Sequence, residues 1–233
     1  MKYVFFDLDE TLSDHRYACQ NGIEAIMNLY PDLRVKTVEQ LETEFWQMLN
    51  GNYNQVLSGA LSLKDTRLER IAALFIGCNL KPPEDLEKLG ELYVSCYDQS
   101  FRAIPGIIEV LELLKEQDRR VTVITNGFKK TQYKKLVSCK VIKYIDHIIT
   151  SEEIGVPKPH KQIFMEALRI CNVSSEEVIM IGDSWVNDIM GASSLGIKTL
   201  WFNRRNESCP DSSITDVIYE PHEIIDYMNL KRR

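Results

Sequence analysis

The sequence of 233 residues lacks several features that would assign it to a specialised class of protein. Its six cysteines are scattered and form no CxxC pair, and its four histidines show no ligand spacing, so a zinc centre is not predicted. No apolar run approaches the roughly 20 residues that a membrane-spanning helix needs. The formal net charge of −6 does not favour a nucleic-acid polymer as a partner.

The composition is that of an ordinary globular protein. Hydrophobic residues make up 44% of the chain and charged residues 27%, which argues against disorder. The scattered cysteines are typical of free thiols in a reducing compartment. Met1 leads directly into an apolar strand without a signal peptide, so we expect a cytoplasmic protein without a membrane partner. The sequence does not distinguish a monomer from a homodimer.

From about residue 105 onward, short β-rich runs alternate with segments of helical periodicity. Nearly continuous apolar strands separated by helices indicate a parallel sheet that is covered on both faces. The fold class predicted from this pattern is α/β, with a Rossmann-like core. The strand runs lie at residues 120–125, 145–150, 178–182 and 198–202, and the apolar run that begins at Tyr3 adds another strand.

Residues 15–101 show helical periodicity and almost no β-rich runs. Four helices are predicted, over residues 16–29, 37–49, 64–76 and 83–98. Thr37 and Gln40 have the spacing of a capping box, which opens the second helix, and residues 51–54 are expected to end it. We therefore expect a core domain of residues 1–14 and 102–233, interrupted by a four-helix cap domain of residues 15–101.

Polar residues follow the predicted strands at four places. Ligands of open α/β sheets bind at the carboxyl ends of the strands, so we expect these loops to converge. Alternation along a strand points Asp7 and Asp9 to the same face, which makes the pair a candidate metal site or nucleophile. Singly, each loop has an ordinary explanation as a helix cap, a turn or a solvated lysine. The residues concerned are Asp7, Asp9 and Thr11; Thr125, Asn126 and Gly127; Lys158; and Asp183 with Asp188.

In this order, the four loops resemble the motifs of the haloacid dehalogenase-like hydrolases: DxDxT, a Ser/Thr, a Lys and GDxxxxD. The resemblance covers the whole chain, and the helical insertion corresponds to the family's first cap position. It implies Mg²⁺ as cofactor and Asp7 as a nucleophile that forms an aspartyl-phosphate, with its second oxygen on the metal. Asp9 would protonate the leaving group and then activate water, while its backbone carbonyl ligates the metal. Asp183 would supply another metal oxygen, and Asp188 an indirect or water-mediated contact.

The remaining motif residues are expected to bind the phosphoryl group. Thr125 offers its hydroxyl and Asn126 its backbone N–H, while Gly127 allows close approach of the backbone. Lys158, between two prolines, would neutralise Asp7 and the phosphoryl group. Thr11 is expected to order the turn of the first motif.

The motifs also bear on the reaction. Dehalogenases of the family lack the second aspartate, so the presence of Asp9 favours a phosphatase. Phosphonatases of the family use a lysine of the cap as a Schiff base, and nothing in the sequence indicates that one of the cap lysines is buried. Segments 124–128 and 155–164 look like the pyrimidine 5′-nucleotidase branch. We therefore expect a Mg²⁺-dependent 5′-nucleotidase acting on a small phosphorylated metabolite, a pyrimidine nucleoside monophosphate. The alternatives are a sugar-phosphate or phosphoglycolate-type phosphatase, then a phosphonatase or 2-haloacid dehalogenase, and, outside catalysis, a phosphate-ligand sensor or partner platform.

Four residues of the insertion are candidates to face a substrate, although core packing or a solvated surface is the commoner setting for such side chains. They are Trp46, Tyr53, Arg67 and Arg70.

Overall fold

The structure is a computed structural model that describes residues 1–231, without the side chains of residues 49–54, to which Tyr53 belongs. The chain forms two compact units. One comprises Met1–Asp14 together with the chain from Arg102 onward, and the other, the helical insertion, comprises His15–Phe101. Within the described residues, every helix is too short or too polar to cross a membrane.

The first unit is built on a six-stranded sheet in the order β3-β2-β1-β4-β5-β6. All neighbouring strands are parallel, and Phe6 of β1 lies opposite Val123 of β2 and Ile181 of β4. The predicted fold class, a Rossmann-like parallel core with a helical insertion, is confirmed. The strands are β1 Tyr3–Phe6, β2 Arg120–Thr125, β3 His147–Thr150, β4 Val178–Gly182, β5 Lys198–Phe202 and β6 Asp216–Ile218.

Helices flank this sheet, and their apolar faces pack on strands that are buried along almost their whole length. Phe5, Ile124, Met180 and Phe164 belong to one fully buried cluster that joins three strands to a helix. A π-helical segment, Trp185–Met190, begins after β4 and the two residues Asp183 and Ser184. The α-helices of this unit are α5 Ile107–Glu116, α6 Lys129–Ser138, α7 Ser151–Ile154, α8 Lys161–Cys171, α9 Gly191–Ser193 and α10 Pro221–Met228.

The helical insertion has its own core. Ile23, Ile26, Phe45, Ile71 and Leu74 are buried in one cluster to which all of its first three helices contribute. A short 3₁₀ helix follows the first of these helices. The insertion's helices are α1 His15–Leu29, α2 Val38–Leu57, α3 Leu63–Gly77 and α4 Leu86–Gln99.

The second helix of the insertion begins as predicted but ends later. The capping box is present: Gln40 Oε1 accepts from the Thr37 backbone N–H at 2.9 Å, and Thr37 Oγ1 accepts from the Gln40 N–H at 3.3 Å. The predicted break at residues 51–54 is wrong, because the helix continues to Leu57. A glycine inside a helix costs only about 1 kcal/mol. Val56, beyond the expected break, is buried, and such burial offsets a cost of that size.

Candidate active site

The first motif forms a tight turn at the carboxyl end of β1. The Asp7 N–H donates to the Ile181 carbonyl at 2.9 Å, which continues the contact between β1 and β4. The Leu8 carbonyl then accepts from the N–H groups of both Leu12 and Ser13, at 2.9 and 2.8 Å. Thr11 is buried, but within the described part of the chain its hydroxyl has no hydrogen-bond partner. The backbone bonds, rather than the expected Thr11 hydroxyl, therefore hold this turn.

Lys158 links two of the predicted carboxylates. Its Nζ lies 2.5 Å from Asp7 Oδ1 and 2.7 Å from Asp188 Oδ1, and it donates to the Ile124 carbonyl at 2.8 Å. The side chain is only 2% exposed, so these three oxygens are its environment. One buried cation is therefore shared between two buried carboxylates.

The charges around Lys158 do not balance locally. Burial raises the pKa of Asp7 to about 7, assisted by Asp188 and opposed by Lys158. Burial also raises the pKa of Asp183 well above its usual range, and the neighbouring Asp7 and Asp188 add to this effect. Burial lowers the pKa of Lys158, but the two carboxylates outweigh it and hold the ammonium charged. Negative charge is in excess at this edge of the sheet.

The donor set of this cluster fits a divalent cation. Oxygens of Asp7, Asp183 and Asp188 all lie within 4.8 Å of one another. Carboxylate oxygens are the ligands that Mg²⁺ prefers, and a bound cation would offset the excess charge. Among the described residues, no hydrogen bond or ion pair reaches the Asp183 carboxylate, which leaves its oxygens available. The carboxylate of Asp9 is not part of this group.

Asp188 is held in place by the loop that precedes it. Its Oδ2 accepts from the Ser184 N–H at 3.0 Å, while its Oδ1 contacts Lys158. A Cβ at Gly182 would lie 2.4 Å from Asp188 Oδ2. The glycine of this motif is therefore required by the close approach of the Asp188 carboxylate.

The second and third loops are joined by Asn126. Its side-chain oxygen accepts from the Lys158 N–H at 2.7 Å, and its amide group donates to the Lys158 carbonyl at 3.0 Å. Thr125 Oγ1 accepts from Gln132 Nε2 at 2.6 Å. A Cβ at Gly127 would meet that same Gln132 nitrogen at 2.8 Å. The Asn126 side chain thus fixes the backbone at Lys158. The sequence predicted only that the Asn126 backbone N–H would bind the phosphoryl group, and did not predict these side-chain contacts.

Two residues that the sequence did not single out bind the Asp9 carboxylate. Lys135 Nζ lies 2.7 and 2.8 Å from its two oxygens, and Gln132 Nε2 lies 3.3 Å from Oδ2. The Lys135 side chain is 4% exposed. Both residues lie on α6 with i, i+3 spacing, which puts them on one face. This spacing could have indicated that the two residues act together. However, α6 carries four lysines, and the sequence does not show which of them is buried.

A cavity of about 330 Å³ lies beside this cluster. Asp183, Trp185 and Arg205 are in its wall, so that an aromatic ring and both signs of charge border it. Arg205 also lowers the pKa of Asp183, against the larger effect of burial. The volume is at the lower end of the range for small-molecule sites.

Comparisons with known proteins find related sequences and a shared fold. A sequence model described as haloacid dehalogenase-like hydrolase matches residues 4–202. The chain is 28% identical over 214 residues to the pyrimidine 5′-nucleotidase YjjG of Escherichia coli (strain K12), covering 90% of this chain and 89% of that one. It is 29% identical to the glyceraldehyde 3-phosphate phosphatase of Pyrococcus abyssi, covering 87% and 81%. The L-2-haloacid dehalogenase structure from Xanthobacter autotrophicus superposes with a TM-score of 0.74 at 16% identity, covering 98% of each chain, which shows a shared fold.

Proposed function

Because the chain belongs to the haloacid dehalogenase-like hydrolases, we propose that it hydrolyses phosphate monoesters with Asp7 as the nucleophile. The observation that carries this proposal is the different setting of the two aspartates. Asp7 contacts Lys158 within the acidic cluster, whereas the Asp9 carboxylate contacts Lys135 and Gln132 outside that cluster. Asp7 is therefore suited to attack beside positive charge, and Asp9 is oriented by Lys135 and Gln132 for proton transfer.

In the proposed reaction, an oxygen of Asp7 attacks phosphorus and the bond from phosphorus to the leaving oxygen breaks. Asp9 gives its proton to that oxygen, and the product is an aspartyl-phosphate. Water then attacks this phosphorus as Asp9 takes the water's proton, and inorganic phosphate leaves with Asp7 regenerated. Lys158 offsets the negative charge of Asp7 and of the phosphoryl oxygens throughout.

The acidic cluster would hold Mg²⁺ through oxygens of Asp7 and Asp183, with the carbonyl of Asp9 as a further ligand and Asp188 in indirect contact. When bound, this ion supplies positive charge that lets a carboxylate approach a phosphate dianion. Thr125, oriented by Gln132, presents its hydroxyl to the phosphoryl oxygens.

We propose a pyrimidine nucleoside monophosphate as the substrate. Segments 124–128 and 155–164 support this choice, as do the relatives named pyrimidine 5′-nucleotidase, YjjG and the PynA of Streptococcus pneumoniae. A second candidate is a sugar phosphate, because relatives at similar identity are named glyceraldehyde 3-phosphate phosphatase. A phosphate sensor or partner platform is less well supported, because both aspartates of the first motif are present.

A substrate screen tests the proposed function. We expect phosphate release from UMP and dUMP, weaker release from glyceraldehyde 3-phosphate and phosphoglycolate, and loss of all release when EDTA removes Mg²⁺. Phosphate release by the purified chain measures hydrolysis, and chloride release from 2-chloropropionate is the control for dehalogenation. Release confined to the sugar phosphates would refute the nucleotide assignment. No release from any ester, p-nitrophenyl phosphate included, would refute the hydrolase.

The contact between Lys135 and Asp9 predicts a dependence on the leaving group. Without Lys135 the Asp9 carboxylate loses its fixed orientation, so proton transfer to a poor leaving group suffers. We expect Lys135→Met to slow the first-turnover release of uridine from UMP by about 10²-fold, but the first-turnover release of p-nitrophenolate from p-nitrophenyl phosphate, a leaving group that needs no proton, by less than about threefold.

The matched control is Lys130→Met, which removes an exposed charge from the same helix and should leave both rates unchanged. An equal loss on both substrates in Lys135→Met would show that Lys135 does not act through Asp9.

A further inference from the structure

Arg70, on α3 of the helical insertion, is a buried cation with unpaired donors. Arg70 is 5% exposed, and the Nε and Nη1 atoms of its guanidinium have no hydrogen-bond partner in the described part of the chain. The indole Nε1 of Trp46, on α2, is also buried and without a partner there. The guanidinium carbon lies 5.8 Å from the Trp46 ring centroid, so these unpaired donors are neighbours.

Among the side chains that the structure describes, no carboxylate forms an ion pair with Arg70. The guanidinium lies over the Phe45 ring at 4.1 Å from the centroid. This cation–π attraction recovers only part of the hydration that a buried ion loses. Burial lowers the pKa of Arg70, and the effects that oppose this come from the side chains of Tyr93, Cys19 and Tyr97, none of which is a carboxylate.

The buried carboxylate of the adjoining helix α2 already has a cationic partner. Glu42, on α2, is buried, and it accepts from Arg16 Nη2 at 2.7 Å and from Arg16 Nε at 2.9 Å. Arg67, one turn before Arg70 on α3, adds a second positive charge and lowers the pKa of Arg70 further. The cluster of Arg70, Arg67 and Trp46 is therefore rich in donors and positive charge.

The chemistry of these donors specifies their complement. Arginine and the tryptophan indole donate hydrogen bonds and accept none. A ligand that offers several acceptor oxygens and a negative charge would satisfy both the charge and the unpaired N–H groups, and the planar guanidinium matches a carboxylate or phosphate. The aromatic rings around it lower the local polarity, which strengthens such a contact.

We propose that Arg70, with the Trp46 indole N–H, forms a binding site for a small oxyanion, a carboxylate or a phosphate, within the helical insertion. The site is independent of the proposed hydrolysis, and Arg67 contributes long-range attraction. The oxyanion is either a free ion or an anionic group of a larger phosphorylated ligand.

NMR of the three tryptophan indoles tests the site without turnover. In a chloride buffer, titration with inorganic phosphate and separately with acetate should move the Trp46 indole resonance saturably. Trp185, in the wall of the cavity beside Asp183, reports the other site. Arg70→Met should abolish the Trp46 shift and keep the Trp185 response to phosphate. Arg34→Met, which removes an exposed cation of the insertion, is the control and should change neither.

Two further measurements sharpen the test. Arg70→Lys keeps the positive charge but loses the planar guanidinium with its several N–H donors, so we expect this variant to bind the oxyanion at least tenfold more weakly. It also tests the site if Arg70→Met fails to fold. In Asp7→Asn, fructose 1,6-bisphosphate moving Trp46 at a concentration at least tenfold below that required of inorganic phosphate assigns the oxyanion to the larger ligand, whereas equal or weaker binding than the free ions assigns it to a free ion. An unmoved Trp46 resonance in the wild type, or a shift retained in both Arg70 variants, would overturn the site.

Discussion

Asp7→Asn is expected to lower turnover by about 10⁵-fold or more while leaving the fold intact. The amide has the size of the carboxylate and can remain beside Lys158, but it cannot form the covalent phosphoryl intermediate. Because burial raises the pKa of Asp7, the neutral side chain also relieves a charge that the fold disfavours. Phosphate release under single-turnover conditions measures the loss, and mass spectrometry of the wild type during turnover should detect the phosphorylated protein.

The control for this prediction is Asp14→Asn. Asp14 is another buried aspartate of the first unit, but its carboxylate pairs with Arg102 at 2.6 Å. This variant should retain turnover within a few-fold. Retention of more than about 1% of activity by Asp7→Asn would rule out the covalent mechanism.

The same substitution should change the pH dependence of stability in the metal-free protein. The pKa of the Asp7 carboxyl is raised from 3.8 to about 7 in the fold, so its stabilising contribution is complete below pH 3.8 and is lost as the pH rises through about 7. Asp7→Asn removes this dependence. Relative to the wild type, the variant should therefore gain stability between pH 4 and pH 8, as urea unfolding in EDTA would measure.

Lys158→Met is expected to impair both stability and activity. Removing the shared cation leaves Asp7 and Asp188 buried together without a counter-charge, which should lower the free energy of unfolding by about 3–5 kcal/mol. Turnover should fall by about 10³-fold, because the charge opposing that of the phosphoryl group is lost. Urea unfolding of the metal-free protein and phosphate release measure the two effects.

A double variant separates the effect of Lys158 on stability from its effect on activity. Lys158→Met with Asp7→Asn removes one carboxylate from the uncompensated pair, so it should recover part of the stability and none of the activity. Lys161→Met, an exposed lysine at the start of the next helix, controls for loss of charge and should match the wild type. Unchanged unfolding in Lys158→Met would show that Lys158 is not the counter-ion of this cluster.

Much of the site's framework was predictable because it depends on short-range patterns. The apolar runs of β1, β2 and β4 end where the polar motifs begin, and parallel pairing brings those ends to one edge of the sheet. The short β6, by contrast, covers only Asp216–Ile218 at the edge of the sheet, and its sequence carries no comparable apolar run. Strand formation there depends on pairing with β5.

The pairing of charged groups was not predictable in the same way. The lysine-rich helix α6 could present any of its lysines to Asp9, and only the packing of this helix in the fold buries Lys135 rather than Lys130. Arg70 likewise follows no motif, and its unpaired state depends on how α2 and α3 pack.

The sequence by itself determined the α/β class, the helical insertion and the four loops that carry Asp7, Thr125, Lys158 and Asp183. These follow from hydrophobic periodicity and strand order, which are local properties of the chain. The tertiary structure decided which ion each of these groups contacts: Lys158 with Asp7 and Asp188, and Lys135 with Asp9. The physical reason is that a charge selects its partner by distance and burial, and both arise only when distant segments pack together.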